Sequence, residues 1–502
     1  MHRRFLTLWL FLATVAGVHA QATLPAFTAT DRVIVVAPHP DDEVLGAGGI
    51  IQQALAAGAD VRLIYLTNGD HNQIAFKLYN HSLFLRARDY LAFGVRRRAE
   101  AIAAADLIGL PADHLTFLGY PDWGTLTMWR DYWGSDEPFR SDATRVSAVP
   151  YKQDYGYGHP YTPEAVAADF VSLFRQFHPT KIFVTHPCDT NPDHRAAANF
   201  VRLAALNVEP EGLRPELYYY VIHFGQWPRP YHYHPDAGLE PPQALLDDGD
   251  WTSVTLTPDQ TEKKYAAILR NRTQVTTREY YLVAFARTNE IFATIDSPHV
   301  PRLAPDLPLD WRKAVRNKTI VVMASEPGGR ILEPGENLIE PAEKPGERTP
   351  ASHAGASIAL AQTAFLRQGD DLIAQVELRN RLGKRTNVHL LLFGYKRDAD
   401  FAKLPKIKID ITPFGDVHVY DGRKRLNKPA VTVTSVANRL FVRVPLQLLG
   451  GNGIEYLFTQ TRANLGEITP DDTAWRLFTL SESRNEPVTR LIIPNREPRH
   501  PS

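Results

Sequence analysis

The chain has 502 residues with 56 Lys+Arg against 56 Asp+Glu, a neutral balance that gives no support to a nucleic-acid binder or an electrostatic membrane binder, both of which need a basic surplus. At 44% hydrophobic and 22% charged residues it lies clear of the disordered regime, and its length predicts two or three domains. One cysteine, Cys188, excludes an internal disulfide and a Cys-rich metal cluster, so any bound metal must be held by His and carboxylates.

Residues 1–20 begin with His2, Arg3 and Arg4, continue as an apolar run broken only by Thr7 and Thr14, and end in Val18, His19 and Ala20. This is the pattern of a secretory signal peptide cleaved after Ala20. It predicts a secreted or periplasmic protein with no stable membrane insertion after cleavage, because the run is short for a span of about 20 residues. A single Cys suits an oxidising compartment in a chain that does not rely on disulfides.

Over 31–292, short apolar runs alternate with helical patterns. Strands are predicted at 33–37, 61–67, 115–118 and 181–186, and helices at 46–57, 96–108, 163–177 and 195–206. Thr162 is the expected N-cap of the third helix, with Pro163 in its first position. Alternating strands and helices predict βαβ units, and hence a doubly wound, Rossmann-like α/β fold with a mostly parallel sheet over 21–296. The stretch 297–350 is rich in Pro and Gly and reads as a linker. Beyond it, period-two alternation (Leu372, Ala374, Val376; Ile407, Ile409, Ile411; Leu440, Val442, Val444) predicts an all-β sandwich over 351–502. A chain ending near Asp296 is expected to fold by itself.

The chemistry concentrates at two strand ends. Pro38-His39-Pro40-Asp41-Asp42-Glu43 follows the first strand, and Thr185-His186-Pro187-Cys188-Asp189-Thr190-Asn191-Pro192-Asp193-His194-Arg195 follows the fourth and opens a helix. In open α/β sheets, ligands bind at that edge. A helix-capping Asp would explain one carboxylate of the first motif but not His39, Asp41, Asp42 and Glu43 together. Two loops at one edge can bring His39, Asp42 and His194 around one ion. Two His and one carboxylate leave positions open for water and substrate, the composition of a catalytic zinc site, although Fe2+ or another divalent ion takes the same set. A lone His at a strand end, such as His186, is usually a hydrogen-bonded loop residue, and a lone Cys such as Cys188 is more often a buried packing residue than a nucleophile. Gly46, Gly48 and Gly49 lack dinucleotide-binding spacing and predict close packing of helix on sheet.

These two motifs resemble the PIG-L/LmbE family of zinc-dependent N-deacetylases. Supporting matches are Arg97, Glu100, Phe117-Leu118-Gly119-Tyr120, Asp122, the segment 263–274 and the segment 285–292. The resemblance implies zinc held by His39, Asp42 and His194, with Asp41 as general base and an N-acetylated sugar or glycan as substrate. Many members carry a His where this chain has Asn191. An Asn amide donates to an oxyanion but does not shuttle a proton, so either Asp41 serves twice or another residue such as His186 contributes. Asp193 is then expected to orient its neighbours. Tyr- and His-rich segments at 151–161 and 218–234, the latter with Trp227, are candidates for a sugar-pocket rim or for loop packing. The sequence Asp472-Thr473-Ala474-Trp475-Arg476 looks similar to carbohydrate-binding β-sandwich modules, and reads at least as well as part of a purely structural sandwich. Rival readings are a metal-dependent hydrolase of another amide, ester or phosphoester bond, and a catalytically weakened glycan-binding protein. The sequence does not determine oligomeric state.

Overall fold

The computed structural model describes residues 22–80, 85–303, 321–324, 360–379, 386–465 and 468–480. The segment read as a signal peptide and most of the stretch read as a linker lie outside these residues.

The first domain runs β1 (Ala22–Thr23), β2 (Arg32–Ala37), α1 (Asp42–Ala56), β3 (Asp60–Thr67), α2 (Gln73–Asn80), α3 (Ala87–Leu107), β4 (Leu115–Tyr120), α4 (Thr125–Asp131), α5 (Pro163–Phe177), β5 (Lys181–Thr185), α6 (Pro192–Val208), β6 (Glu216–Tyr220), β7 (Asp250–Thr255), α7 (Pro258–Ile268), α8 (Arg272–Leu282) and β8 (Asn289–Thr294). Its eight strands lie in the order β1-β7-β8-β6-β5-β2-β3-β4. Strands β2 to β6 pair in parallel, and β8 runs antiparallel to both β6 and β7. The sheet is therefore doubly wound and mostly parallel. Residues 33–37 are at most 1% exposed, as expected of a strand covered by helices on both faces.

The order reverses between β2 and β5, since β3 and β4 follow on one side of that pair and β6 on the other. The carboxyl ends of β2 and β5 flank the crevice where such sheets bind ligands. Both sequence motifs begin there. The glycines of α1 are explained by packing: a Cβ on Gly46 would lie 2.2 Å from the Tyr220 ring, and one on Gly49 would lie 2.3 Å from Leu256.

The second domain is a sandwich of two sheets. One contains, in spatial order, Val321–Ala324, Leu360–Gln368, Asp371–Leu378, Arg439–Pro445 and Thr432–Val436; the other contains Lys424–Arg425, Val417–Asp421, Lys406–Ile411, Thr386–Tyr395, Tyr456–Leu465 and Ile468–Asp472. Two pieces of the stretch read as linker belong to it. Val321–Ala324 pairs antiparallel with Leu360–Gln368, and Arg302–Leu303 pairs parallel with the same strand. Their partner lies far along the chain, so no local periodicity announces them.

The sandwich does not sit apart. Trp129 on α4 and Trp475 on the sandwich are both 0% exposed, with ring centroids 5.8 Å apart and planes at 90°. Phe458 of the sandwich and Phe200 of α6 pack edge-on against the same Trp129 at 5.2 and 5.1 Å. One continuous apolar core therefore crosses the domain boundary, an arrangement that weighs against a free-standing first domain. The segment from Asp472 to Arg476 is buried in this junction, so its side chains present no surface to a sugar.

Candidate metal centre

Helix α1 starts four residues earlier than the periodicity suggests, placing Asp42 and Glu43 in its first turn, where the aligned peptide dipoles favour carboxylates. Asp41 occupies the N-cap position, yet its side chain caps nothing and its backbone sits at φ 127°, a strained conformation for a residue with a side chain. Arg97 of α3 holds it there, donating to Asp41 Oδ1 at 3.1 Å, to Pro40 O at 2.7 Å and to Gly69 O at 2.9 Å. Helix α6 likewise opens earlier than expected. Asn191 is its N-cap and accepts from Asp193 N at 2.9 Å, and Pro192 takes the first position.

These two helix starts bring His39, Asp42 and His194 together. His39 Nδ1 lies 3.2 Å from Asp42 Oδ2, His194 Nε2 lies 3.1 Å from the same oxygen, and the two ring nitrogens are 3.3 Å apart. A tetrahedral ion with bonds of 2.0–2.1 Å separates its ligands by about 3.3–3.4 Å. The triangle fits one face of that polyhedron, and all three residues are buried.

The other nitrogen of each imidazole is held by carboxylates. His39 Nε2 lies 3.2 Å from Asp122 Oδ1 and 3.3 Å from Asp193 Oδ2. Asp193 also accepts from Trp123 N at 2.6 Å and Thr125 N at 3.1 Å. His194 Nδ1 lies 3.1 Å from Asp189 Oδ2. Burial alone would lower both imidazole pKa values, but Asp122, Asp193 and Asp42 around His39, and Asp189 and Asp42 around His194, outweigh it; His39 is held well above its ordinary value and His194 at about 9. The pocket is thus built for positive charge.

The cleft over the triad has a volume of about 740 Å³ including its open mouth, and its walls include Asp41, Asn191, His223 and Arg278. His186 is elsewhere. It is 0% exposed and its Nε2 lies 3.5 Å from Asp248, in a second buried group with Cys188, so it does not replace the missing His at position 191. Beyond the triad, two imidazoles line the cleft, His71 and His223; the ring centroid of His223 is 4.8 Å from that of His194. Burial, with His194 and His39 adding to it against Asp189 and Asp42, pushes His223 down to about 3, leaving it neutral. Only a Tyr- and His-rich composition signalled it in the sequence. Nothing signalled Arg278, whose guanidinium meets no acceptor among the described residues. Of the Tyr-rich segment 151–161, Tyr151 and Tyr161 are buried in the core. Glu100 is structural, accepting from Thr273 N and Oγ1 to tie α3 to α8.

Residues 34–205 match the family model described as GlcNAc-PI de-N-acetylase, PIG-L. A 1D-myo-inositol 2-acetamido-2-deoxy-alpha-D-glucopyranoside deacetylase from Mycobacterium sp. (strain KMS) is 34% identical over 150 residues, 26% of this chain and 46% of the relative. The chain therefore spans about half the length of that relative. The like-named protein of Tsukamurella paurometabola is 25% identical over 52% of this chain and 89% of its own length. Among solved structures, N,N'-diacetylchitobiose deacetylase from Pyrococcus horikoshii aligns at 19% identity and a TM-score of 0.33, covering 53% of this chain and 84% of the other.

Proposed function

Starting from the PIG-L domain that residues 34–205 form, we propose that this chain is a divalent-metal-dependent N-deacetylase that hydrolyses the acetamido group of an N-acetylated amino sugar or glycan. The observation that carries this reading is the triangle of His39 Nδ1, Asp42 Oδ2 and His194 Nε2 with sides of 3.1–3.3 Å. Two imidazoles and one carboxylate suit zinc, with Fe2+ or another divalent ion as the alternatives. Such an ion, when bound, supplies Lewis-acid chemistry that activates water and polarises the amide carbonyl.

The rest follows from the chain's own side chains. Arg97 engages Asp41 Oδ1, leaving Oδ2 to take the proton of the attacking water. Burial raises the Asp41 carboxyl to about 7, close to the proton affinity an efficient base needs. Asn191 uses its Oδ1 for the helix cap, so its Nδ2 is left to donate to the developing oxyanion. An amide cannot return a proton, so Asp41, once it has taken the proton of the attacking water, also delivers it to the leaving amine. Asp122, Asp193 and Asp189 orient the two imidazoles.

The segment 1–20 supports export to the periplasm or medium, which makes a surface or environmental glycan the natural substrate. The decisive assay is acetate release from a panel of N-acetylated sugars by protein loaded with zinc or iron, with and without a chelator, and mass spectrometry of the exported chain should show an N-terminus at Gln21. Metal-loaded protein that releases no acetate from any of them, or releases phosphate from phosphoesters instead, overturns the reading.

A further inference from the structure

Two buried charged residues of the sandwich, Asp472 and Arg476, grip the loop 186–195 that carries His194, and we propose that they are positioning residues of the metal centre, making the sandwich a working part of that site. This rests on the metal reading of the triad above.

The first grip passes through Arg195. Its Nη1 lies 3.5 Å from Asp472 Oδ1, and its Nε donates to Asp189 O at 2.5 Å. Asp189 in turn is fully committed. Its Oδ1 accepts from Asn191 N at 2.9 Å, and its Oδ2 accepts from Ile222 N and His223 N at 3.0 and 2.9 Å while lying 3.1 Å from His194 Nδ1. A chain of contacts thus runs from the sandwich to the ring whose other nitrogen lies in the triad with His39 and Asp42.

The second grip is on Cys188. Arg476 donates through both terminal nitrogens to Asp248, at 3.0 and 2.6 Å, and to Cys188 Sγ at 3.2 Å. Cys188 Sγ lies 2.9 Å from Asp248 Oδ2, and Cys188 N donates to His186 Nδ1 at 3.1 Å. His186, Cys188 and Asp248 are spaced as metal ligands would be, but the guanidinium already supplies the positive charge there. The forked geometry fixes direction as well as charge, which a lysine would not reproduce. Both grips land on either side of Asn191 and His194. Carboxylates and donors that orient a metal-binding imidazole typically contribute 10–100-fold to metal affinity.

The experiment measures the Zn2+ dissociation constant by competition with a chromophoric chelator, beside thermal melting of the metal-free protein, for wild type, Asp472→Asn, Arg476→Lys and Arg397→Ala. Arg397 bridges the same two domains through Glu209 at 2.9 Å, but touches neither the loop nor the cleft. Asp472→Asn and Arg476→Lys should weaken zinc binding 10–100-fold, whereas Arg397→Ala should lower melting alone. If Arg476→Lys binds zinc as wild type does, the grip is merely structural and the proposal falls, even if Asp472→Asn fails to fold. If wild type itself binds no zinc, it is the reading of the triad that fails.

Discussion

Asp41 and Asp42 are neighbours in the chain with opposite surroundings. Burial pushes both carboxyls up. At Asp42 the imidazoles of His194 and His39 overcome it and hold the group well below the usual carboxylate range, while at Asp41 burial prevails over Arg97, with Asp42 adding to it, and the group stays near 7. Two acids driven apart by environment mark a division of labour. Asp41→Asn should therefore keep stoichiometric zinc while turnover falls ~10²–10⁴-fold, and His194→Ala should lose metal and activity together; metal analysis beside kinetics checks both. If Asp41→Asn loses the ion and Asp42→Asn keeps it, the roles are reversed. Arg278 lines the same cleft at a kink in α8, where φ is −144°. A half-desolvated guanidinium without an acceptor attracts an anion. Arg278→Gln should raise KM about tenfold for an N-acetylated substrate bearing a carboxylate or phosphate, and leave KM for a neutral one unchanged. An equal change for both would show that Arg278 does not read charge.

At the scale of elements, caps were legible where ordinary capping chemistry operates. Thr162 accepts from Ala165 N at 3.3 Å with Pro163 behind it. Helix α3 was not, because it begins at Ala87 with Arg86 N donating to the Asp89 carboxylate at 2.8 Å, and Arg, which has no acceptor, is no usual cap. Gly94 within it is demanded by tertiary contact, since a Cβ would meet the Tyr151 hydroxyl at 2.5 Å. The strands at the switch point are stitched by Asp31, which accepts from Lys181 Nζ at 2.6 Å, Thr180 Oγ1 at 3.1 Å and Thr28 N at 2.8 Å. Burial alone would raise this carboxyl; those donors instead hold it at about 2. A depressed carboxyl stabilises the fold above its unfolded pKa and loses that contribution as pH falls toward its folded value. Wild type should thus exceed Asp31→Asn by about 1–2 kcal/mol above pH ~5, and the two should converge between pH ~4 and ~2 in urea titrations. A constant difference across that range would assign the effect to packing.

For the whole molecule, the junction around Trp129 and Trp475 decides independence. Removing the sandwich uncovers Trp129, Phe200 and the apolar surface around them, and takes from Asp248 and Arg195 the oppositely charged groups Arg476 and Asp472. Buried charges that lose their counter-charge cost several kcal/mol. A chain ending near Asp296 should be insoluble or unfolded, and Trp475→Ala in the full chain should lose ~3–5 kcal/mol of stability, read as a fall in the denaturant midpoint. A soluble, active truncation would show that the junction is dispensable.

What the sequence by itself determined is what local chemistry encodes. Continuous apolar runs named the parallel strands, period two named the sandwich, and His39, Asp41, Asp42 and His194 stood out because their residue types cluster beyond any structural need. What only the tertiary structure decided involves partners distant in the chain. Asp189 and Asp122 acquire their places against the imidazoles through folding, whereas the orienting role of Asp193 was expected from its motif and only its partner, His39, was not. His223 enters the cleft and His186 leaves it through the paths of two loops. Arg476 meets Cys188 across 288 positions, a contact with no local signature, because neither periodicity nor capping preference carries information about a side chain that far along the chain.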